Sequence, residues 1–413
     1  MGNILGKILD CTKLKICQKN YNNVLVRLNK KINNNEPLNV VFIVSENQKW
    51  GYQSLYDLFK DDKHFKPLVL INLHRDIHKR KIKRKPNILE NVEFFKQKGL
   101  DFELLYEDKK YKNLFDFNPD IVFYDQQWGL IRKYKPFRVS KYALCCFIPY
   151  GFSILDYKGD YNKRFHRYLF KYFIMNKGDI SRFEDYQKGN SINCELVGYS
   201  KLDTYINDND IDKSKLWKNP DNKKIIYAPH HSFAPDSLKM ATFNKNGRFI
   251  LDYAKNNPDT SWVFKPHPCF YSSVLKNKIM TKNELDDYYG EWAKIGKVYE
   301  QGDYFDIFKT SDLMITDCCS FLGEYYPTLK PLIRLSRADS TPLNFTGKKI
   351  VDNYYEVFDN EELIKIIDKI IKKNEDEKFE KRKELFKELF NSEISTAQKI
   401  KDSLLNSING VKI

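Results

Sequence analysis

Three short polar segments in the second half of the chain carry side chains that suit phosphate chemistry. They are Ala228-Pro229-His230-His231-Ser232, Lys265-Pro266-His267-Pro268 and Thr316-Asp317-Cys318-Cys319-Ser320. Each segment follows a short apolar run bounded by polar residues, which is typical of a buried strand. The runs cover residues 224–227, 261–264 and 313–315. Because ligands of parallel sheets bind at the carboxyl ends of the strands, we predict that the segments gather to hold a diphosphate.

The segment around Asp317 is predicted to be a phosphate cradle. Ser320 is expected to begin a helix over residues 320–328 and to cap the unpaired backbone N–H groups with its hydroxyl. Those N–H groups and the positive end of the helix dipole both favour an anion. The alternative is an ordinary strand–helix unit of a parallel sheet, and the pattern alone does not decide between them.

Histidines are the other candidates for this site. The prolines on both sides of His267 fix its backbone and hold the imidazole out from a strand end, which favours a site role over a core role. His230 and His231 follow a neighbouring strand. A metal centre is the rival use of three histidines. We expect no metal cofactor, because the adjacent His230 and His231 should point apart and because Lys265 favours an anion.

Composition narrows the class of protein. The 413 residues are enough for two domains. The formal charge of +15 permits a nucleic acid, an anionic membrane face or a phosphate-rich polymer as partner, and discriminates poorly among them. The eight cysteines form no Cys-x-x-Cys pair. Reduced cysteines, no signal peptide and no apolar run near the ~20 residues of a membrane span predict a cytoplasmic protein.

The first half alternates short apolar runs with helical patterns, which predicts a parallel sheet covered by helices on both faces. Strand ends there make Glu46 and Asp125 site candidates by position. The turn Pro149-Tyr150-Gly151 presents an aromatic hydroxyl at another strand end, and a Tyr that packs inward is the equal alternative. His166 is predicted to be structural.

The chain is predicted to be an α/β protein with two Rossmann-like domains facing a cleft. A basic amphipathic helix, residues 1–35, precedes the first domain, residues 36–205. A polar linker, 206–223, leads to the second domain, 224–360, and helices in 361–413 pack back across the domains. The N-terminal helix either docks on its own domain or lies peripherally on the inner face of an anionic membrane.

An ordered set of motifs marks the second half: Ala228-Pro229, His267-Pro268, Ile315-Thr316-Asp317-Cys318-Cys319-Ser320 and Lys330-Pro331. In this order they resemble the donor-binding domain of the CDP-glycerol glycerophosphotransferase family, which builds teichoic-acid and capsular polyol-phosphate polymers on the GT-B scaffold. The family has Ser where this chain has Cys319. Its first-domain Trp-His-Gly turn aligns with Pro149-Tyr150-Gly151.

The resemblance implies transfer of a glycerol-phosphate or related polyol-phosphate unit from a CDP-activated donor to a hydroxyl of a glycan or lipid-linked acceptor, with CMP leaving. His267 would steady the diphosphate, Asp317 would orient the turn, and Glu324 would accept a ribose hydroxyl. The other donor-binding residues implied are Pro229, His231, Lys265, Cys319 and Ser320. Gly151 and Asp125 are implied on the acceptor side.

The general base and the donor stay open. Tyr150 occupies the position of the family's His, and a tyrosine with a pKa near ~10 is a poor base at neutral pH. Glu46, Asp125 and His230 are the alternatives. A GT-B glycosyltransferase that uses a nucleotide sugar is the alternative enzyme. A non-catalytic RNA- or membrane-binding protein is disfavoured because no RNA-binding motif is present, so no nucleic-acid partner is expected.

Overall fold

The computed structural model describes every residue except 1, 74, 77–80, 83–87, 158–163, 188–192, 207–210, 301–303, 391–392 and 411–413. Only the backbone is described for residues 2–9, 75–76, 81–82, 185–187, 204 and 206. The chain divides into two compact units. Unit 1 consists of Met1–Gly151, Lys158–Thr204 and Ser392–Ile413, and unit 2 consists of Phe152–Tyr157 and Tyr205–Asn391.

Unit 1 is built on a seven-stranded sheet with the order β11-β10-β9-β8-β1-β2-β5, in which every pair is parallel. Its strands are β1 (Leu38–Val44), β2 (Phe65–Ile71), β5 (Phe102–Leu104), β8 (Ile121–Tyr124), β9 (Leu144–Phe147), β10 (Lys171–Ile174) and β11 (Cys194–Leu196). Two small antiparallel ribbons are β3 (Arg75–Asp76) with β4 (Lys81–Ile82) and β6 (Tyr106–Glu107) with β7 (Lys110–Tyr111). All residues of β8 and β9 are buried, as expected when helices cover both faces of a sheet.

The helices of unit 1 include both ends of the chain. They are Gly2–Asn33, Gln53–Lys60, Ile88–Gln97, Pro136–Val139, Arg164–Arg167, Lys177–Gln187 and Thr396–Asn409, with Leu202–Ile206 where the chain passes to unit 2. The N-terminal helix buries Tyr21, Val24 and Leu28 in the core of unit 1, and the Tyr21 hydroxyl donates to the Tyr168 carbonyl at 2.5 Å. The helix therefore docks on its own unit through these buried side chains.

Unit 2 has a second parallel sheet of six strands with the order β14-β13-β12-β15-β16-β17. They are β12 (Lys223–Ala228), β13 (Thr260–Phe264), β14 (Lys297–Val298), β15 (Leu313–Thr316), β16 (Leu332–Leu335) and β17 (Tyr355–Val357). Its helices are Lys213–Leu216, Phe243–Asn256, Phe270–Lys276, Lys282–Ile295, Phe305–Thr310, Cys319–Glu324, Phe345–Asp352, Asn360–Ile371 and Phe379–Phe390. The predicted α/β class with two parallel sheets is confirmed.

The predicted linker, residues 206–223, is part of unit 2 and not a separate segment between two domains. Residues 207–210 lie outside the described residues, but the rest belongs to unit 2. Trp217 is buried, and its indole Nε1 donates to Thr310 Oγ1 at 2.8 Å. The predicted C-terminal helices divide between the units, since Phe379–Phe390 belongs to unit 2 and Thr396–Asn409 to unit 1.

Membrane-spanning helices were sought among the described residues. None of the helices in that part of the chain combines the length and the apolar character that crossing a bilayer requires.

Two helical glycines of unit 2 offer a matched test of its packing. A Cβ at Gly323 would lie 2.3 Å from Phe152 Cδ1 and 2.7 Å from Phe152 Cβ, whereas a Cβ at Gly290 meets nothing within 4 Å. We expect Gly323→Ala to destabilise unit 2 by about 1–3 kcal/mol because Phe152 must move. Gly290→Ala should stabilise by about 0.5–1 kcal/mol through helix propensity. Urea unfolding of both variants checks this, and equal effects would contradict the packing.

Candidate functional site

The three polar segments of unit 2 follow neighbouring strands. β12 lies between β13 and β15, and all three run parallel. Their carboxyl ends therefore lie at one edge of the sheet, and His230, His267 and Asp317 come just after them. The Pro229 carbonyl accepts a hydrogen bond from the backbone N–H of His267 at 3.1 Å, which ties the first segment to the second.

Asp317 connects the segment after β15 to the segment after β12. Its carboxylate is buried; Oδ1 accepts from the backbone N–H of His230 at 2.5 Å. Oδ2 accepts from the backbone N–H of Thr242 at 2.6 Å and from the Thr242 hydroxyl at 2.8 Å. Burial raises the pKa of Asp317 to about 6, and these donors oppose the rise. Asp317 thus ties the backbone of His230 and of Thr242 to the end of β15, and its role at a bound donor stays a prediction.

The imidazoles of His230, His231 and His267 form one cluster. The ring centroids of His231 and His267 are stacked 3.9 Å apart, and those of His230 and His267 are 5.2 Å apart. The expectation that His230 and His231 point apart is wrong, because their centroids are 4.4 Å apart. The two residues follow the end of β12 in irregular chain, so the alternation of side chains along a strand does not apply to them. Burial lowers the pKa of both, with His231 adding to the effect at His230, so both rings are neutral near pH 7.

Hydrogen bonds fix which ring nitrogen carries the proton in two of these histidines. Nδ1 of His267 accepts from the backbone N–H of Cys269 at 3.0 Å. Nδ1 of His230 accepts from the backbone N–H of Ser232 at 3.3 Å and lies 2.8 Å from the Ser232 hydroxyl, whose oxygen already accepts from the backbone N–H of Met240 and so has its hydrogen free to donate to Nδ1. In a neutral imidazole with an accepting Nδ1, the proton must be on Nε2. His230 and His267 are therefore N–H donors at Nε2, as an anion requires.

A metal is the other ligand that three imidazoles could hold. One ring nitrogen from each histidine lies within 4.8 Å of the others. A metal-ligating histidine normally donates from its second ring nitrogen to a carbonyl or carboxylate. Here the Nδ1 atoms of His230 and His267 accept from backbone N–H groups instead. With the proton on Nε2, these two rings can donate hydrogen bonds to an anion. A metal bound through both Nε2 atoms would need those nitrogens unprotonated, so the arrangement fits an anion better.

Lys265 lies among aromatic rings at the end of β13. Its side chain is buried, and Nζ is 5.0 Å from the ring centroid of Tyr304, 5.4 Å from that of Tyr299 and 5.7 Å from that of Phe321. Such cation–π contacts hold a desolvated ammonium group in place. The predicted contact of Lys265 with a diphosphate stays a prediction.

The helix after Asp317 differs from the prediction. It spans Cys319–Glu324, so it begins before Ser320, and Cys318 is the N-cap without a side-chain cap hydrogen bond. The predicted capping by Ser320 is therefore wrong; its hydroxyl lies 3.6 Å from Cys318 Sγ. The helix also ends earlier than expected, since Tyr326–Thr328 forms a 3-10 turn that contains a proline.

Glu324 and Cys319 are less open to a ligand than predicted. Glu324 is buried, and its carboxylate accepts a hydrogen bond from the Tyr304 hydroxyl. A ribose hydroxyl would have to share that carboxylate with Tyr304. Cys319 is half-buried at the first helical position.

A second polar cluster lies at the sheet edge of unit 1, after β1, β8 and β9. Lys49 is its centre: its ammonium group donates to Glu46 Oε1 at 2.8 Å and to Gln126 Oε1 at 2.6 Å. The same Nζ is 5.3 Å from the ring centroid of Tyr150 and 5.7 Å from that of Trp128. Sequence reasoning missed Lys49. The available signal was its position three residues after Glu46, at the end of a predicted strand.

Asp125 is a buried neighbour of this cluster, close enough for Lys49 and Glu46 to act on its charge. It is buried, and Oδ2 accepts from the backbone N–H of Ser45 at 3.0 Å. Burial raises the pKa of Asp125 to about 7, against the lowering effect of Lys49. The structure thus brings Glu46, Asp125 and Tyr150 together within unit 1, with Gly151 directly after Tyr150. His166 is buried and stacks on Tyr172 with centroids 5.2 Å apart, so it packs in the core as predicted for a structural residue.

Comparisons with solved structures identify the fold. A UDP-N-acetylglucosamine 2-epimerase has a TM-score of 0.59 at 11% identity, covering 91% of this chain and 97% of that chain. MnaA of S. aureus, solved with UDP, has a TM-score of 0.58 at 12% identity, with 91% and 98% covered. Anabaena HepE, in complex with UDP and glucose, has a TM-score of 0.50 at 10% identity, with 89% and 100% covered. No protein-family model and no curated protein sequence matches this chain.

At these identities the likeness concerns the fold alone. The chain has two Rossmann-like α/β domains of the GT-B type, as predicted. The resemblance of the second half to the CDP-glycerol glycerophosphotransferase family stays a prediction.

The raised pKa of Asp125 predicts a particular pH dependence. A carboxyl group whose pKa rises from 3.8 unfolded to about 7 folded favours the folded state at low pH, and this contribution is lost as pH rises through that range. We therefore compare the free energy of unfolding of the wild type with that of Asp125→Asn. The wild-type value minus the value of the variant should decrease as the pH rises from about 4 to about 7. Urea unfolding at several pH values measures it. The charge-matched control is Asp116→Asn, at an exposed position of the same unit. A difference that rises with pH would contradict the account.

Proposed function

We propose that this protein is a GT-B transferase that binds a nucleotide diphosphate donor on unit 2, with a nucleotide sugar as the preferred donor. The observation that carries the proposal is the cluster of His230, His231 and His267, with ring nitrogens within 4.8 Å of one another at adjacent strand ends. Carboxyl ends of parallel strands are where α/β proteins bind nucleotides. The UDP and UDP-sugar complexes among the structural neighbours support the donor class.

The proposed role of the histidines follows from their protonation. When the donor bond breaks, negative charge grows on the diphosphate that leaves. Fixed N–H donors that stabilise this charge lower the barrier, because they need no reorganisation during the reaction. The Nε2–H groups of His230 and His267 are such donors, and the backbone bonds to their Nδ1 atoms hold the rings in this state. Lys265 adds a positive charge at the same strand end as His267.

Among the candidates for the general base, Glu46 is the best placed chemically. Its side chain is 38% exposed, and Oε1 lies 2.8 Å from the ammonium group of Lys49. Asp125 is buried with a pKa of about 7, so near neutral pH only part of it is ionised. His230 is assigned as a donor, and a tyrosine such as Tyr150 is a weak base. We therefore propose Glu46 as the general base that removes the proton from the acceptor hydroxyl.

A second candidate is transfer of a polyol phosphate from a CDP-activated donor. The observation that favours it is the order of the Ala-Pro, His-Pro, Thr-Asp and Lys-Pro motifs, which resembles the CDP-glycerol family. Both reactions need the same diphosphate contacts. They differ in the bond that breaks, which is a sugar C–O bond in the first and a P–O bond within the diphosphate in the second.

The histidine cluster can be tested by comparing nucleoside diphosphate with monophosphate. We expect His267→Ala to weaken UDP and CDP binding at least about tenfold, as loss of a hydrogen bond to a charged group does, and UMP and CMP binding less. Isothermal titration calorimetry gives the four affinities. The matched control is His64→Ala, which removes an imidazole of unit 1 that contacts Asp62. Equal loss for mono- and diphosphates would contradict a diphosphate contact.

Product analysis separates the two candidate reactions. We expect the protein to consume a UDP-sugar and release UDP when an acceptor glycan is present. Consumption of CDP-glycerol with release of CMP, and no turnover of any nucleotide sugar, would replace the preferred reaction by the second. Turnover of neither donor class, together with no nucleotide binding, would contradict the transferase assignment.

A further inference from the structure

Unit 1 contains a basic pocket that the proposed transfer reaction does not use. Its volume is about 630 Å³. Its cationic lining residues come from the N-terminal helix, from the segment after β8 and from the short helix before β10: Lys13, Arg132, Lys135, Arg138 and Arg164. No acidic residue lines it among those the structure describes.

Most of these cations have no carboxylate partner. Arg164 pairs with Asp10, whose carboxylate also accepts from the Tyr168 hydroxyl. Lys13, Arg132, Lys135 and Arg138 form no ion pair with any described residue. Four positive charges held around one cavity repel one another, so an anion that enters it is favoured.

The pocket also has an apolar wall. Phe137, Phe165 and Tyr168 line it, together with Pro136. Lys13 Nζ is 5.6 Å and Arg138 Cζ is 5.8 Å from the ring centroid of Phe137, so two of the cations lie against this ring. A bare phosphate would leave most of the cavity and all of the aromatic surface unused, since cavities of this size hold whole organic ligands.

We propose that this pocket binds the phosphate ester of an amphiphile, with the phosphate on Arg132 and Arg138 and the apolar body against Phe137. Guanidinium groups match phosphate oxygens in pairs, and the aromatic wall takes the part of the ligand that water disfavours. The phosphate chemistry is shared by a lipid phosphate and by free inorganic phosphate. The apolar wall favours the lipid-type ligand. The inference does not depend on the nucleotide site of unit 2.

Titration calorimetry of the full chain with octyl phosphate, inorganic phosphate and octyltrimethylammonium tests this. We expect octyl phosphate to bind at least about tenfold more tightly than inorganic phosphate, and the cation not to bind. The double variant Arg132→Gln, Arg138→Gln should bind octyl phosphate at least about tenfold more weakly, because it loses hydrogen bonds from charged groups. Phe137→Leu should reduce the preference for octyl phosphate over inorganic phosphate.

The control removes equal charge outside the pocket. Lys15→Gln with Lys19→Gln changes two exposed positions of the N-terminal helix and should leave octyl phosphate binding unchanged. UDP binding should be unchanged in both double variants, which separates this inference from the function of unit 2. Thermal unfolding confirms that each variant is folded. Equal weakening in both double variants, equal affinity for the two phosphates, or no binding of octyl phosphate to the wild type would overturn the proposal.

Discussion

The buried carboxylate of Asp317 holds the candidate site of unit 2 together. It lies after β15 and accepts hydrogen bonds from the backbone of His230 and from both the backbone and hydroxyl of Thr242. These residues begin and end the loop between β12 and the helix Phe243–Asn256. Without the carboxylate, two buried N–H groups would lack a partner, at a cost of about 1–3 kcal/mol each. The position of the imidazole of His230 thus depends on a residue 87 positions away in the sequence.

The elements that carry the site could be predicted from local pattern. β12, β13 and β15 each appear in the sequence as a short apolar run followed by polar residues, and one sheet edge brings the ends of such runs together. The ends of the helix after Asp317 could not be predicted in this way. Ser320 has the side chain of a cap, but the chain turns into the helix one residue earlier, with Cys318 as N-cap.

Contacts between side chains that are far apart in the chain could not be predicted from the sequence. Lys49 appears as one of many lysines in a basic chain, and only the fold brings it to Gln126 and to the rings of Trp128 and Tyr150. The same holds for the basic pocket, because Lys13 and Arg138 meet at Phe137 only once the N-terminal helix has docked. The clustering of His230 with His231 could not be predicted either, because both residues lie beyond the end of β12, where side chains no longer alternate as they do along a strand.

The central claim is that His230 and His267 are neutral imidazoles with the proton on Nε2, ready to donate to a diphosphate. Long-range proton–nitrogen NMR of histidine-labelled protein near neutral pH measures this directly. The account predicts an unprotonated Nδ1 and a protonated Nε2 for both residues, and a change in both Nε2–H signals when UDP is added. Protonation at Nδ1 in either ring, or Nε2–H signals that ignore UDP, would contradict it.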